Sequence, residues 1–358
     1  MKKILLTGGG TAGHVTANLA LIPSLLEQDY EIHYMGSYDG IEKKLIADFN
    51  IPYYGISTGK FRRYFDPKNF SDPFRVIKGF IQAKKLLKKL RPDVVFSKGG
   101  FVSVPVVRAA ASLKIPCIIH ESDMTPGLAN KLCSPVATKI CCTFPETLKT
   151  LPEQKAVLTG SPIRAELATG SKEAGLAFCG FTSDKPVIMV VGGSQGSAAV
   201  NEAVRSALPQ LLKDFQIVHL CGKDKIDNLL LTKEGYKQYE YIKDEMKDLF
   251  AMADLVISRA GANAICELLS LAKPNILIPL PTAQSRGDQI LNANSFAEQG
   301  FSIVIEEDYL DCDTLTGKVH ELFENRQTYM DAMNASTLHD SIGIIMGLID
   351  ELRIKHDA

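Results

Sequence analysis

A chain of 358 residues, 46% hydrophobic and 23% charged, is about twice the usual domain size, so two domains are expected, each burying its own core. A net charge of −1 excludes a general nucleic-acid binder, yet that charge is split: residues 1–164 hold 23 Lys/Arg against 13 Asp/Glu and the remainder 17 against 28, as two domains facing different partners would. No signal-peptide pattern and no 18-residue apolar span occur, which points to a soluble or peripheral protein.

Along the chain, short apolar runs read as strands at 3–7, 31–35, 53–56, 93–97, 117–120 and 139–143, with helical-period segments such as 12–28 and 102–113 between them. The pattern restarts at 186–191, 216–221, 240–242, 254–258, 275–279 and 302–306. Strands apolar on both faces, alternating with helices, mean parallel sheets covered on both sides. The expected fold class is therefore α/β, with two doubly wound, Rossmann-like domains. They join near TGSPIRAEL at 159–167, where Gly160 and Pro162 break regular structure. The tail at 336–354 reads as helical, and its pattern does not say which domain it covers. Of eight cysteines, none forms a C-x-x-C or zinc-spaced set. Cys117, Cys141, Cys142 and Cys221 sit in apolar runs as small core residues, which suits a reducing compartment.

In doubly wound sheets ligands bind beyond the carboxyl ends of the strands, so the strand-to-helix turns hold the candidates. Gly8, Gly10 and Gly13 spell G-x-G-x-x-G after the apolar run 4–6. Such a turn offers backbone N–H groups and the positive end of a helix to phosphate. A redox dinucleotide also needs an acid at the tip of the second strand. That strand ends His33-Tyr34-Met35-Gly36, and Asp39 and Glu42 come later, which disfavours the redox reading. A second glycine turn, GGSQG at 192–196, carries Ser194; two opposed turns would grip a diphosphate from both sides. Each is otherwise a plain tight turn. In SRAGANAICELL at 258–269, Gly261 opens a helix and Glu267 can accept bonds from two ribose hydroxyls, although alone it is an ordinary helix charge. Gln289, Asn292 and Asn294 begin another helix and suit a sugar, though surface amides are common. His120 and Glu121 end an apolar strand, where a charge is costly unless paired or used.

These turns together resemble the MurG family, the N-acetylglucosaminyltransferases of peptidoglycan synthesis, which are glycosyltransferases of the GT-B type. The match runs essentially the whole chain. It is carried by GGTAGH at 9–14, KGGFVSVP at 98–105, HES at 120–122, GSPIR at 160–164, GGSQG at 192–196, SRAGA at 258–262 and DQILNAN at 288–294. It looks closest to the Gram-positive branch. The resemblance implies a GT-B fold with an interdomain cleft, a membrane-facing acceptor domain at 1–162, a UDP-GlcNAc domain at 163–335, and a final helix at 336–358 packing back on the first domain. It implies transfer of GlcNAc from UDP-GlcNAc to the C4 hydroxyl of MurNAc in undecaprenyl-pyrophosphoryl-MurNAc-pentapeptide (lipid I), with inversion, giving lipid II.

By the same resemblance, Thr11, Ala12 and Gly13 line the donor sugar and phosphate, and Arg164 and Ser194 contact the diphosphate. Glu267 binds the ribose, Ala262 and Asn263 begin the helix beneath the diphosphate, and Gln289 holds GlcNAc hydroxyls. His14 and Glu121 lie near the acceptor hydroxyl. Asp123 departs from the family's Asn, which leaves that sugar contact unassigned. Inversion needs a single in-line displacement with a base, and His14 ranks above Glu121 because imidazole titrates near neutrality. The plainer alternative is that His14 donates to the diphosphate. No cofactor is implied, and the sequence leaves a divalent cation undecided; the D-x-D string Asp311, Asp313 precedes a helical segment and reads as a cap.

Residues 60–91 hold 11 Lys/Arg against 2 Asp/Glu, interleaved with Phe61, Tyr64, Phe65, Phe70, Phe74 and Phe80. Within it, 74–90 reads as a basic amphipathic helix with Ile77, Phe80, Ile81 and Leu87 among its apolar residues, suited to an anionic membrane surface on the cytoplasmic face. An ordinary helix with a solvated basic face is the plainer reading. Rival functions are a diacylglycerol glucosyltransferase, opposed by the HES and DQILNAN motifs; an NAD-dependent dehydrogenase, which leaves the second glycine turn idle; and a periplasmic binding protein, which needs an export signal.

Overall fold

Aliphatic runs such as those in 4–6 and 94–96 are apolar at consecutive positions, so they fit only strands covered on both faces. The computed structural model, which describes residues 2–11, 13–59, 68–193, 196–283 and 287–357, places them so. The chain divides into one unit of Met1–Arg164 with Asp340–Ala358 and a second of Ala165–His339. The first holds β1 (Lys2–Thr7), β2 (Tyr30–Ser37), β3 (Tyr53–Ile56), β4 (Val94–Ser97), β5 (Cys117–Glu121), β6 (Lys139–Cys142) and β7 (Ala156–Leu158). Their order is β3-β2-β1-β4-β5-β6-β7, all parallel. The second holds β8 (Val187–Val191), β9 (Gln216–Leu220), β10 (Tyr236–Tyr239), β11 (Leu255–Ser258), β12 (Asn275–Leu277) and β13 (Ser302–Val304), in the order β10-β9-β8-β11-β12-β13, also parallel. Both are Rossmann-like sheets, and strand order reverses at β1/β4 and at β8/β11.

Two strand assignments differ from the sequence reading. The strand expected at 240–242 lies just upstream, because Tyr236 is fully buried and pairs in register with Ile217, whereas Glu240 is exposed and accepts a bond from the Asp224 amide at 3.0 Å. The edge strand β7 carries no pattern to find: it has three residues, all only partly buried.

Side-chain alternation along β1 divides the first core in two. Ile4 and Leu6 meet Leu21, Ile22 and Leu25 of the helix Gly13–Glu27 together with Ile345, Met346, Ile349 and Leu352 of the final helix, Ser341–Asp357. Leu5 faces the other layer, with Ala83 and Leu87 of the helix Lys68–Leu90 and Val106, Val107 and Ala110 of Ser103–Ser112. The last helix is thus part of the first unit's core. Polar bonds pin it: Ser341 Oγ donates to the Ser161 carbonyl at 2.9 Å and Tyr30 Oη to Asp350 at 2.6 Å. Cys117, Cys141, Cys142 and Cys221 are all fully buried, and burial pushes the Cys117 thiol up to about 12.

Ile349→Ala removes a fully buried side chain from this layer. It should lower unfolding free energy by about 2–5 kcal/mol, measured by urea denaturation.

Candidate functional site

At the β1/β4 switch point two glycine turns lie back to back. A Cβ on Gly100 would stand 2.1 Å from the Gly9 carbonyl, so only glycine permits this approach. The Gly9 amide in turn donates to the Gly99 carbonyl at 3.4 Å. Beneath the first turn, Tyr34 Oη donates to the Gly8 carbonyl at 2.7 Å and the Gly10 amide donates to Glu42 at 3.3 Å. The turn opens the helix Gly13–Glu27, where Thr11 Oγ1 lies 3.0 Å from Nδ1 of half-buried His14. Desolvation, and next the charge of Lys98, lower the His14 pKa, offset in part by a bond to the Gly9 backbone. His14 is therefore a neutral imidazole at physiological pH, able to accept a proton.

Lys98 closes β4 and is buried. Its Nζ donates to Nδ1 of His120 at 2.7 Å, to Ser161 Oγ at 3.3 Å and to Ser122 Oγ. His120 Nε2 donates to the Gly160 carbonyl at 2.8 Å, which fixes its tautomer, and desolvation first and Lys98 second hold its pKa well below the usual value. Glu121 is nearly buried but fully engaged: Oε1 accepts from the Asp123 amide at 3.0 Å, and Oε2 from the Gly127 amide and Asn130 Nδ2, each at 2.9 Å. The carboxylate braces the loop that follows β5. A cavity of about 440 Å³, lined by Ile119, Glu121, Pro126, Asn130 and Leu151 among others, opens beside it.

The second unit repeats the arrangement at β8/β11. Gly193 and Gly196 have φ of +91° and +69°, and a Cβ on Gly196 would meet the Cys221 carbonyl at 1.9 Å. Ser197 caps the helix Ala198–Leu211 by accepting from the Val200 amide at 3.3 Å. Buried Arg259 ties this cap to the neighbouring strands: its guanidinium donates to Ser197 Oγ at 2.6 Å, to the Ile278 and Pro279 carbonyls at 3.1 and 3.2 Å, and pairs with Glu307. Gly261 caps the helix Ala262–Ser270 with no side chain to occupy its N-terminus, and Ala262, Asn263 and Glu267 are half-buried along it. Gln289 accepts from the Leu280 amide at 3.0 Å through its side-chain oxygen.

The Glycosyltransferase family 28 N-terminal domain matches residues 4–142, and the family 28 C-terminal domain matches residues 187–344. The chain belongs to glycosyltransferase family 28. This family 28 chain is 64% identical, over 99% of its length and 100% of the relative's, to a UDP-N-acetylglucosamine–N-acetylmuramyl-(pentapeptide) pyrophosphoryl-undecaprenol N-acetylglucosamine transferase of Lachnoclostridium phytofermentans. A protein of the same name from Lachnospira eligens is 66% identical over 98% of this chain and 99% of its own. The crystal structure of Acinetobacter baumannii MurG superposes with a TM-score of 0.77 at 28% identity, covering 98% of this chain and 100% of that one. The resemblance to the MurG family and the GT-B fold class hold, and as a family 28 member the chain is a glycosyltransferase.

Within this family 28 framework the first unit brings His14, Thr11 and Gly13 to one turn and Glu121 to the end of β5, while half-buried Arg164 closes that unit. Ala12 and Ser194 lie outside the described residues. Asn292, a sugar candidate from sequence, is instead buried and donates to the Ala260 carbonyl at 3.1 Å; Asn294 is exposed. Asp311 accepts from the Thr314 amide at 2.8 Å as the cap of the helix Cys312–Glu324. The sequence reading passed over Lys98, Asn130 and Arg259 as individual residues, and weighed Glu42 only as a ribose contact. Lys98 and Arg259 stand inside quoted motifs, directly after apolar strands, which is the signal that they are buried.

Buried His219, held between Asn201 and Tyr236, has its pKa brought down to about 3, chiefly by desolvation and then by Arg205. Above the ordinary imidazole value both folded and unfolded chains are neutral there. As pH falls below it, only the unfolded chain takes up the proton, so stability drops. By about pH 5 this one residue should cost about 2 kcal/mol relative to about pH 7. Urea unfolding at both values should show that loss shrinking by the same amount in His219→Gln.

Proposed function

We infer that the chain transfers GlcNAc from UDP-GlcNAc to the C4 hydroxyl of MurNAc in lipid I, forming the β1,4 bond of lipid II with inversion. The observation that carries this reading is near-full-length identity above 60% to relatives bearing that activity in their names. The site residues support it. In the second unit, Glu267 receives the ribose hydroxyls, and the open helix N-terminus at Ala262 and Asn263 meets the diphosphate with Ser194; Arg164 is a further diphosphate contact. Gln289 offers its amide to the GlcNAc, and Thr11, Ala12 and Gly13 are the further residues that the family resemblance assigns to donor sugar and phosphate. Charge developing on the departing diphosphate is met by fixed dipoles and a guanidinium, which need no reorganisation as the bond breaks.

The first unit receives the acceptor. His14, kept neutral by burial and by Lys98, takes the proton from the attacking C4 hydroxyl. Glu121, already accepting three hydrogen bonds, serves better as the brace of its loop than as the base. His14→Ala should lower kcat at least about tenfold. In the wild type, kcat/KM should fall on the acid side only below the ordinary imidazole value, because protonated His14 no longer accepts. Disaccharide formation from a lipid I analogue, followed from about pH 5 to about pH 8, checks both. Equal use of UDP-glucose would instead favour a glucosyltransferase.

Attachment to the membrane is peripheral in this reading. Among the described residues, no helix is long and apolar enough to cross a bilayer. The helix Lys68–Leu90 docks its inner side through Ala83 and Leu87, and a Cβ on Gly79 would touch the Ser57 carbonyl at 2.0 Å. Its outer side exposes Phe74, Ile77 and Ile81 at 75%, 57% and 62%, beside exposed Arg75, Lys78, Lys85, Lys88 and Lys89. Apolar side chains flanked by cations suit an anionic lipid surface; residues 60–67 of the basic segment lie outside the described residues. Binding to vesicles should rise with anionic lipid, fall with salt and weaken several-fold in Phe74→Ser/Ile81→Ser, read by co-sedimentation.

A further inference from the structure

The first glycine turn rests on a carboxylate that no water reaches. Glu42, in the first turn of the short helix Ile41–Ala47, is 0% exposed. Its Oε1 accepts from the Ser37 amide at 2.9 Å and the Ser37 hydroxyl at 2.5 Å, and its Oε2 accepts from the Gly10 amide at 3.3 Å. Burying a carboxylate costs several kcal/mol unless its lone pairs are satisfied, and here three donors do so. Three glycines make the room. A Cβ on Gly9, Gly36 or Gly40 would come within 2.5, 2.8 or 2.2 Å of atoms of this one side chain.

The rest of the turn is equally committed. Tyr34 Oη holds the Gly8 carbonyl, the Gly99 carbonyl takes the Gly9 amide, and Asn18 Nδ2 donates to the Thr7 carbonyl at 3.1 Å. A phosphate cradle needs amides that point at the ligand. At Gly10 the amide already faces a carboxylate, whose charge opposes a second anion at that spot. Downstream of it, Thr11 Oγ1 and His14 Nδ1 lie 3.0 Å apart.

We propose that Glu42 is a positioning residue of the transfer reaction: it anchors the first glycine turn at Gly10 and thereby fixes His14 against the acceptor hydroxyl. The proposal rests on the acceptor-side reading of His14 given above. Glu42 touches no substrate and acts only through the backbone of Gly10. Displacing that backbone moves His14, and misplacement on the order of 1 Å at a reacting group costs up to about a hundredfold in rate.

Two variants test it by different routes. Glu42→Gln keeps the volume but either turns an N–H₂ group toward the Gly10 amide or gives up the Ser37 bonds. Gly40→Ala leaves Glu42 in place but drives a methyl group into its carboxylate; Gly40 has φ of −77°, so the alanine itself adds no backbone strain. With UDP-GlcNAc and a lipid I analogue, both should lose at least about tenfold in kcat while KM for UDP-GlcNAc rises by a smaller factor, because Glu267, Gln289 and Arg164 lie off this turn. Hydrogen exchange of a peptide covering residues 8–14 should accelerate in both. A folded variant with wild-type kcat, or loss of activity matched by loss of folded protein alone, overturns the positioning role. Unchanged exchange at 8–14 overturns the anchoring itself. Absence of GlcNAc transfer by the wild type would instead sink the functional reading, and the exchange measurement would still decide whether Glu42 holds the turn.

Discussion

Parallel pairing in both sheets brings every strand's carboxyl end to one edge, and this constraint organises everything functional in the molecule. Where strand order reverses, at β1/β4 and β8/β11, successive helices leave on opposite faces and open a crevice at that edge. The backbone that crosses each crevice has no sheet partner left, so its N–H and C=O groups must be satisfied locally or by a ligand. Glycine is required there for proximity as much as for conformation. Gly100 lies against the Gly9 carbonyl and Gly196 against the Cys221 carbonyl, at distances no Cβ tolerates.

The two crevices tie down their turns with different side chains. In the first unit the turn at 8–13 stands on the Glu42 carboxylate, while Lys98 reaches from β4 to His120, Ser122 and Ser161. In the second unit the glycine turn is tied down by a cation, Arg259, whose partners are a helix cap, two carbonyls and Glu307.

His120 and Glu121, buried at the end of β5, are rigid because each is multiply bonded. His120 is held in one tautomer between an ammonium and a carbonyl, and Glu121 is held by three donors of its own loop. Such networks cost desolvation and return fixed geometry, which a displacement reaction needs more than it needs flexibility. The helix Lys68–Leu90 shows the same economy on a larger scale. One side completes the core, and the other leaves three large apolar residues in solvent beside basic ones.

Sheet class, strand number to within one edge strand, and the turns that carry chemistry were legible in the sequence, because consecutive apolar residues and glycines at strand ends report local constraints. The family was legible too, since its motifs are short, ordered stretches such as GGTAGH and HES. The roles of individual polar residues were not. Glu42 stood too far past the strand tip for a ribose contact and was set aside. Its true setting depends on Gly9, Gly36 and Gly40 converging on it from separate segments. Asn292 looked like a sugar contact because a helix start does not reveal which face is buried, and packing turned it inward to the Ala260 carbonyl. The tail's own pattern did not say which domain it covers; the family resemblance implied the first, and in the structure Ile345 and Ile349 close over Ile4 and Leu6. Periodicity is a property of neighbours in the chain and survives in one dimension; which hydrogen-bond donor meets which buried acceptor depends on residues tens to hundreds of positions apart, and only the folded backbone brings them within 3 Å.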